Sequence, residues 1–182
     1  MRDVKFCNST RIPVAVLALG LLVFTLVFAR ATNGAKNWIY VGGISIQPSE
    51  LVKIVFVFYV ASSLKISRSF KDIVITTTVA AFHVLILVVS KDLGAALIIF
   101  VVYLVMLYVA TRQPLYVIAG LSAGSVASVV AYQLFDHVKV RVLAWKDPFA
   151  AYDTGGYQVA HSLFAIGTGS WFGMGLFQGM PE

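Results

Sequence analysis

Long apolar runs with almost no charged residues dominate this sequence. Leu93–Thr111 and Leu115–Leu134 contain no Asp, Glu, Lys or Arg. A helix needs about 20 such residues to cross the hydrocarbon core of a membrane, because each residue advances it by about 1.5 Å. The stretches that meet or approach this length are Ile12–Ala29, Leu51–Leu64, Ile73–Ser90, Leu93–Thr111 and Leu115–Leu134. The pattern predicts an all-α polytopic membrane protein with about five transmembrane helices.

The composition indicates that the bilayer, not water, is the solvent for this chain. Of its 182 residues, 59% are hydrophobic and 12% are charged, whereas soluble domains have roughly 25% charged residues. The net charge of +6 would suggest nucleic acid in a soluble protein. Here the basic residues lie in short gaps between apolar runs, which favours membrane lipids as partners and disfavours nucleic acid. The single cysteine, Cys7, excludes an internal disulfide.

The same basic residues predict the orientation, because Lys and Arg accumulate in short cytoplasmic loops. One set of loops holds Arg2, Lys5, Arg11, Lys65, Arg68, Lys71 and Arg112. The alternate loops hold only Arg30, Lys36 and Lys91. We therefore expect a cytoplasmic N-terminus.

Residues 135–182 then fall on the external side. They are rich in glycine and aromatic residues and have no clear spanning run. Non-helical backbone at membrane depth must be buried in protein or line a wet cavity. We expect a structured external loop with short amphipathic or re-entrant helices that packs on the bundle.

Charged residues inside the apolar runs are the first candidates for function. Glu50 and Lys53 are three residues apart, so a helix places them on one face, and Ser49 after Pro48 is a candidate helix cap. One interpretation is a capped, ion-paired helix start at the membrane surface. The other is a cavity-facing ammonium that binds an anionic headgroup and is oriented by Glu50. Asp92 likewise either caps the helix that follows it or faces the cavity.

Aromatic and histidine residues give weaker signals. Trp38 is either a membrane-interface anchor or a platform for a sugar ring. His83 within an apolar run is expected to be packed and hydrogen-bonded, and His137 and His161 are expected in loops. No set of residues has metal-ligand spacing, so we predict no metal site. We also predict no cofactor within this chain.

Four stretches of the chain, taken in order, have the form of known sequence motifs. Residues 33–39 followed by Gln47-Pro48-Ser49-Glu50 and Lys53 are similar to N-G-A-x-R-W-I and Q-P-S-E-x-x-K. Residues 92–97 resemble D-L-G-T-A-L, and Arg141 with residues 145–148 resembles R-x-x-x-W-x-D-P. Residues 156–167 resemble G-Y-Q-x-x-Q-S-L-x-A-I-G. In this order the motifs resemble those of the SEDS family of peptidoglycan polymerases, the RodA/FtsW/SpoVE group, and the resemblance covers nearly the whole chain.

This resemblance implies a ten-helix fold, of which the chain is an interior fragment with about five helices. It implies polymerisation of lipid II by glycosyl transfer, with undecaprenyl diphosphate as leaving group, in cell division, elongation or sporulation. It also implies a class B penicillin-binding protein, a transpeptidase, as partner. The substrate-binding residues implied are Trp38, Glu50, Lys53, Asp92, Arg141, Gln158 and Ser162, with Lys36 as a further cation.

The resemblance also implies what this stretch lacks. The family's general-base aspartate belongs to a T-D-F-like motif, which would lie beyond Glu182, and none of Asp136, Asp147 or Asp153 matches that motif. A hydroxyl nucleophile needs such a base within hydrogen-bond reach, so we expect no polymerisation by this chain alone. The alternatives are a lipid-linked oligosaccharide flippase or a non-catalytic scaffold of the wall-synthesis complex.

Overall fold

The computed structural model describes residues 2–32, 35–41, 44–66, 69–171 and 173–175. Side chains are described at 12–29, 38–39 and from Ser45 onward within those ranges. Asn33 and Gly34 of the first family-like stretch, and the side chain of Lys36, lie outside the described part. The chain divides into two units, Met1–Ser122 and Ala123–Glu182.

Helices account for most of the described chain, which confirms the predicted all-α class. The helices are α1 (Arg2–Phe28), α2 (Pro48–Ile66), α3 (Phe70–Val89), α4 (Leu93–Thr111), α5 (Pro114–Leu134), α6 (Asp136–Lys146) and α7 (Tyr157–Gly169). A π-helical turn, Tyr152–Gly156, precedes α7. Within the described ranges, three helices are long and apolar enough to cross a membrane by length and composition, namely α3, α4 and α5, and Ile12–Phe28 of α1 is a shorter apolar stretch.

A small antiparallel sheet between α1 and α2 was not predicted. Its strands are β1 (Arg30–Thr32), β2 (Ala35–Val41) and β3 (Ile44–Ile46), in the order β1-β2-β3. Ile39 pairs with Ile46 and Val41 with Ile44. The sequence did carry a signal, because two runs of β-branched and aromatic residues flank Gly42-Gly43, and such a pair typically connects the strands of a hairpin.

The core of the first unit forms around α2. Its residues Val52, Phe56 and Val60 are fully buried and belong to one cluster with residues of α1, α3 and α4. Small residues on α1, such as Ala15 and Ala18, are buried in the same cluster, and small side chains let neighbouring helix backbones approach closely. Many large apolar side chains on the outward faces remain exposed, as expected for helices that contact lipid.

The second unit contains α6, the π-helical turn and α7, so helices do occur in the predicted external segment. Gly156 ends the turn and is buried. A Cβ at this position would collide with the carbonyl oxygen of Pro148 and crowd Ala151. Glycine is therefore required here by close backbone packing, since its φ of −81° is ordinary.

Candidate functional site

The first turn of α2 carries the polar residues of the Gln-Pro-Ser-Glu stretch. Pro48 is the first helical residue, where its missing N–H costs nothing. Ser49 therefore lies inside the first turn, and the prediction that it caps α2 is wrong. Its buried hydroxyl instead donates a hydrogen bond to Oδ2 of Asp92 at 3.0 Å, and Nε2 of Gln47 donates to the same oxygen at 3.1 Å.

Asp92 connects the beginnings of two helices that are distant in sequence. Its other carboxylate oxygen, Oδ1, accepts the backbone N–H of Ala95 at 3.2 Å, which confirms that Asp92 caps α4. The three bonds satisfy much of the carboxylate and fix the start of α4 against the start of α2. We call Gln47, Ser49 and Asp92 the polar clasp.

Glu50 and Lys53 form the predicted ion pair, with Nζ of Lys53 2.8 Å from Oε1 of Glu50. The Glu50 side chain is 59% exposed and that of Lys53 is 23% exposed. An exposed pair of this kind stabilises a protein by only about 0–1 kcal/mol. The fold therefore depends little on this pair, and an anion with more charge would compete with Glu50 for the ammonium.

Trp38 lies in β2 and is half-buried. Its strand contacts both α1 and α2, and Trp38 faces Arg30 across the β1–β2 ladder. The sheet leads directly into the first turn of α2, so Trp38, the polar clasp and the Glu50–Lys53 pair belong to the same unit. Whether its ring serves as an interface anchor or as a sugar platform stays a prediction.

The remaining predicted site residues lie in the second unit. Arg141 is exposed on α6, and Gln158 and Ser162 are exposed on α7. Because Gln158 and Ser162 are four residues apart, they share one face of that helix. The hydroxyl of Ser162 donates to the backbone oxygen of Gln158 at 2.7 Å. The side-chain amide of Gln158 takes no part in this bond.

An aromatic cluster in the second unit was not predicted. His161 was expected in a loop but lies in α7, and its Nε2 is 2.9 Å from the hydroxyl of Tyr152. The ring of Tyr157 lies 4.1 Å from that of His161. The spacing of Tyr157 and His161, one helical turn, was the available signal. His137 was also expected in a loop and instead lies in α6.

Two further polar groups have defined environments. Lys139 hydrogen-bonds Asp136 at 2.9 Å and thereby holds the pKa of this exposed carboxyl below its usual value.

His83 is fully buried, contacts the ring of Phe56 and pairs through Nδ1 with the Val79 carbonyl at 2.8 Å, which confirms a packed, hydrogen-bonded histidine. Its Nε2 has no hydrogen-bond partner among the described residues. Those residues also contain no group of three or more His, Cys, Asp or Glu placed to hold a metal.

An apolar helical bundle with a polar cluster at one end is the architecture of a multi-pass membrane protein. The chain matches the FtsW/RodA/SpoVE family, described as cell cycle protein, over residues 1–182. It belongs to this family, as the four motifs predicted.

Curated relatives have names that agree with this assignment. The "Peptidoglycan glycosyltransferase RodA" of Mycobacterium leprae (strain TN) is 37% identical over 166 residues, which cover 82% of this chain and 36% of the relative. The "Probable peptidoglycan glycosyltransferase FtsW" of Alteromonas naphthalenivorans is 31% identical over 182 residues, which cover 94% of this chain and 34% of the relative. The chain thus spans about a third of the length of these relatives.

A solved structure has the same fold. It is described as "Structural coordination of polymerization and crosslinking by a peptidoglycan synthase complex". The matching chain is 29% identical with a TM-score of 0.67, and the match covers 91% of this chain and 50% of that one. The likeness in fold and sequence therefore extends to a component of a peptidoglycan synthase complex.

Proposed function

We propose that this chain is part of a SEDS-type glycosyltransferase that polymerises lipid II at the outer face of the bacterial cytoplasmic membrane. The family membership and the names of its relatives support the reaction class. The observation that carries the assignment to a site is the Lys53 ammonium, which among the described residues is held at the start of α2 by one carboxylate, the largely exposed Glu50.

In this proposal Lys53 binds the diphosphate of the lipid-linked sugar. A 4-hydroxyl of one GlcNAc gives its proton to a general base and attacks the anomeric carbon of another sugar. The bond to the diphosphate breaks, and undecaprenyl diphosphate leaves with the electron pair. Negative charge develops on the leaving group, so a fixed cation beside it stabilises the transition state. Lys53 leaves Glu50 for this stronger anion, and Glu50 keeps the ammonium oriented between turnovers.

The other residues take supporting roles. The polar clasp is engaged with protein groups, so Asp92 acts as a positioning residue that holds the start of α2. Trp38 would stack on the sugar. Arg141 would supply a second cation, and Gln158 and Ser162 would hydrogen-bond the substrate from α7.

Polymerisation of labelled lipid II by the intact protein tests the role of Lys53. Lys53→Met keeps an aliphatic side chain and removes the charge, and we expect about 100-fold less polymer per unit time, the loss typical for one fixed transition-state donor. Lys65→Met is the matched control, because Lys65 is exposed at the other end of α2. Equal polymer yields from the two variants would reject the assignment.

Trp38 and the partner need separate tests. Trp38→Ala should reduce polymerisation more than Trp38→Phe, since only the latter keeps an aromatic face. We also propose that a class B penicillin-binding protein associates with the protein. Co-purification from detergent-solubilised membranes tests this, and recovery of the protein without any transpeptidase would contradict it.

A further inference from the structure

Lys91 forms the turn between α3 and α4, directly before the clasp residue Asp92. Ser90 ends α3, Asp92 caps α4, and Lys91 between them has a φ of 65°, in the left-handed region. The backbone N–H of Lys91 donates to the Val88 carbonyl at 3.0 Å, and that of Asp92 donates to the Leu87 carbonyl at 2.9 Å. These bonds hold the backbone of the turn and so fix where Lys91 lies relative to the polar clasp.

The hydrogen bond between Ser49 and Asp92 brings Lys91 close to the start of α2. Lys91 is the chain neighbour of Asp92, and Glu50 is the chain neighbour of Ser49, whose hydroxyl lies 3.0 Å from the Asp92 carboxylate. Because consecutive Cα atoms are about 3.8 Å apart, the Cα atoms of Lys91 and Glu50 are at most about 17 Å apart.

The Lys53 ammonium lies at the same end of α2. Ser49 and Lys53 are four residues apart and share one face of the helix, and helical side chains lean towards the beginning of their helix. The contact between Nζ of Lys53 and Oε1 of Glu50 shows this direction, since Glu50 precedes Lys53 by one turn. A lysine ammonium on its four-carbon stem reaches about 6 Å from its Cα, so Lys53 and Lys91 can approach one bound anion together.

Lys91 has no carboxylate partner in the described part of the chain. It is exposed, and neither ion pair found there includes it. The adjacent carboxylate of Asp92 accepts hydrogen bonds from Gln47, Ser49 and the backbone N–H of Ala95. A lysine beside a carboxylate that already has three donors is available to an anion from outside the chain.

We propose that Lys91 is a specificity-determining residue of the proposed polymerase site, and this inference rests on the proposed function. Lys91 binds the sugar-side phosphate of the polyprenyl diphosphate, while Lys53 binds the phosphate on the prenyl side. Lys53 lies one turn inside α2, whereas Lys91 lies beyond the end of the apolar helix α3. Because the prenyl tail lies in the hydrocarbon, the phosphate nearer the tail meets Lys53.

This arrangement has two consequences. The sugar-side phosphate keeps the electron pair when its bond to the anomeric carbon breaks, so Lys91 stabilises the charge that develops there. A polyprenyl monophosphate has only the prenyl-side phosphate, so Lys91 adds affinity for the diphosphate alone.

Equilibrium binding of undecaprenyl diphosphate and undecaprenyl monophosphate to the intact protein in detergent micelles tests the proposal. The wild type should bind the diphosphate more tightly. Lys91→Gly should weaken diphosphate binding about five-fold, the effect of one cation near an anionic lipid, and should leave monophosphate binding unchanged. Lys91→Arg should keep the preference, and Lys53→Met should weaken binding of both ligands.

Arg112→Gly is the matched control. Arg112 is also exposed and left-handed, with a φ of 54°, but it lies at the other end of α4. Glycine adopts this conformation without steric cost, so both glycine variants should fold, and the control should bind both ligands like the wild type. Equal effects of Lys91→Gly and Arg112→Gly, or an equal loss of affinity for the two ligands in Lys91→Gly, would overturn the proposal.

Polymerisation of lipid II separates this inference from the proposed function. If the wild type forms polymer and Lys91→Gly binds the diphosphate like the wild type, the inference is wrong and the proposed function stands. If the wild type forms no polymer but its preference for the diphosphate depends on Lys91, the proposed glycosyltransferase is wrong and the phosphate site stands.

Discussion

Ser49 and Asp92 should be energetically coupled, because the hydrogen bond between them joins two helices through a buried hydroxyl and a carboxylate. The perturbation is a double-mutant cycle of Ser49→Ala, Asp92→Ala and the combined variant. The bond is 3.0 Å long, and the Ser49 residue is only 3% exposed. Removing Asp92 therefore leaves the buried Ser49 hydroxyl without this acceptor, whereas removing the Ser49 hydroxyl leaves a half-buried carboxylate that keeps its bonds from Gln47 and Ala95.

The magnitude follows from the geometry. Hydrogen bonds between transmembrane helices average about 0.6 kcal/mol in double-mutant cycles, and a charged partner roughly doubles the strength. We therefore expect a coupling energy of about 1–1.5 kcal/mol. Asp92→Ala alone should cost about 3 kcal/mol, since it also removes the α4 cap, worth about 1 kcal/mol, and the bond from Gln47.

The assay is reversible unfolding of the intact protein in mixed micelles by a denaturing detergent, followed by far-UV circular dichroism. Asp92→Asn is the informative control, because asparagine still caps a helix but has one acceptor oxygen where the carboxylate has two. It should fall between wild type and Asp92→Ala. A coupling energy below about 0.3 kcal/mol would refute the reasoning, since it would mean that the two groups do not share a bond.

Other predictions follow from packing and charge. Gly156→Ala should destabilise the protein by about 1–3 kcal/mol through overpacking, whereas Gly167→Ala, which meets nothing within 4 Å, should be neutral or stabilising in the same unfolding assay. His83→Leu should leave stability unchanged or raised, because it removes a buried nitrogen that has no hydrogen-bond partner among the described residues; a loss above about 2 kcal/mol would contradict this. Lys139→Gln should raise the pKa of Asp136 in carboxyl ¹³C NMR. That lowered pKa supplies stability present above the unfolded-state pKa and lost as pH falls through the folded-state value, so an unchanged pKa in the variant would count against the ion pair.

Long apolar runs predict helices because their signal is local. A run without charges such as Leu93–Thr111 has few other ways to be solvated, and the helix α4 has those bounds. The cap at Asp92 was likewise readable from its position before an apolar run. The start of α2 was misjudged by two residues, because a cap at Ser49 would make Glu50 the first helical residue, whereas the helix begins at Pro48. Serine and proline are both common at helix beginnings, and only the structure shows which one enters the helix.

Contacts between distant segments were not readable in this way. Ser49 and Asp92 both appeared as helix starts, but nothing in the spacing indicated that one would donate to the other. The sheet before α2 was not predicted, because the length of an apolar run identifies long helices, and β2 and β3 are too short to give that signal. The contact between His161 and Tyr152 was not predicted, because Tyr152 lies in a π-helical turn that has no simple sequence period.

The polar clasp and the Glu50–Lys53 ion pair have different roles at the start of α2. The Asp92 carboxylate of the clasp accepts three hydrogen bonds from protein groups, one of them from the buried Ser49 hydroxyl, so the clasp fixes where the helix begins. The Lys53 ammonium, one turn further on, pairs in the described part of the chain with one carboxylate, that of the mostly exposed Glu50. A helix start that is held rigidly by one set of groups leaves the neighbouring cation free to change partner without moving the backbone. Loss of the clasp should therefore lower the proposed polymerase activity because less of the protein is folded. Loss of the Lys53 charge should lower that activity in a protein that remains folded.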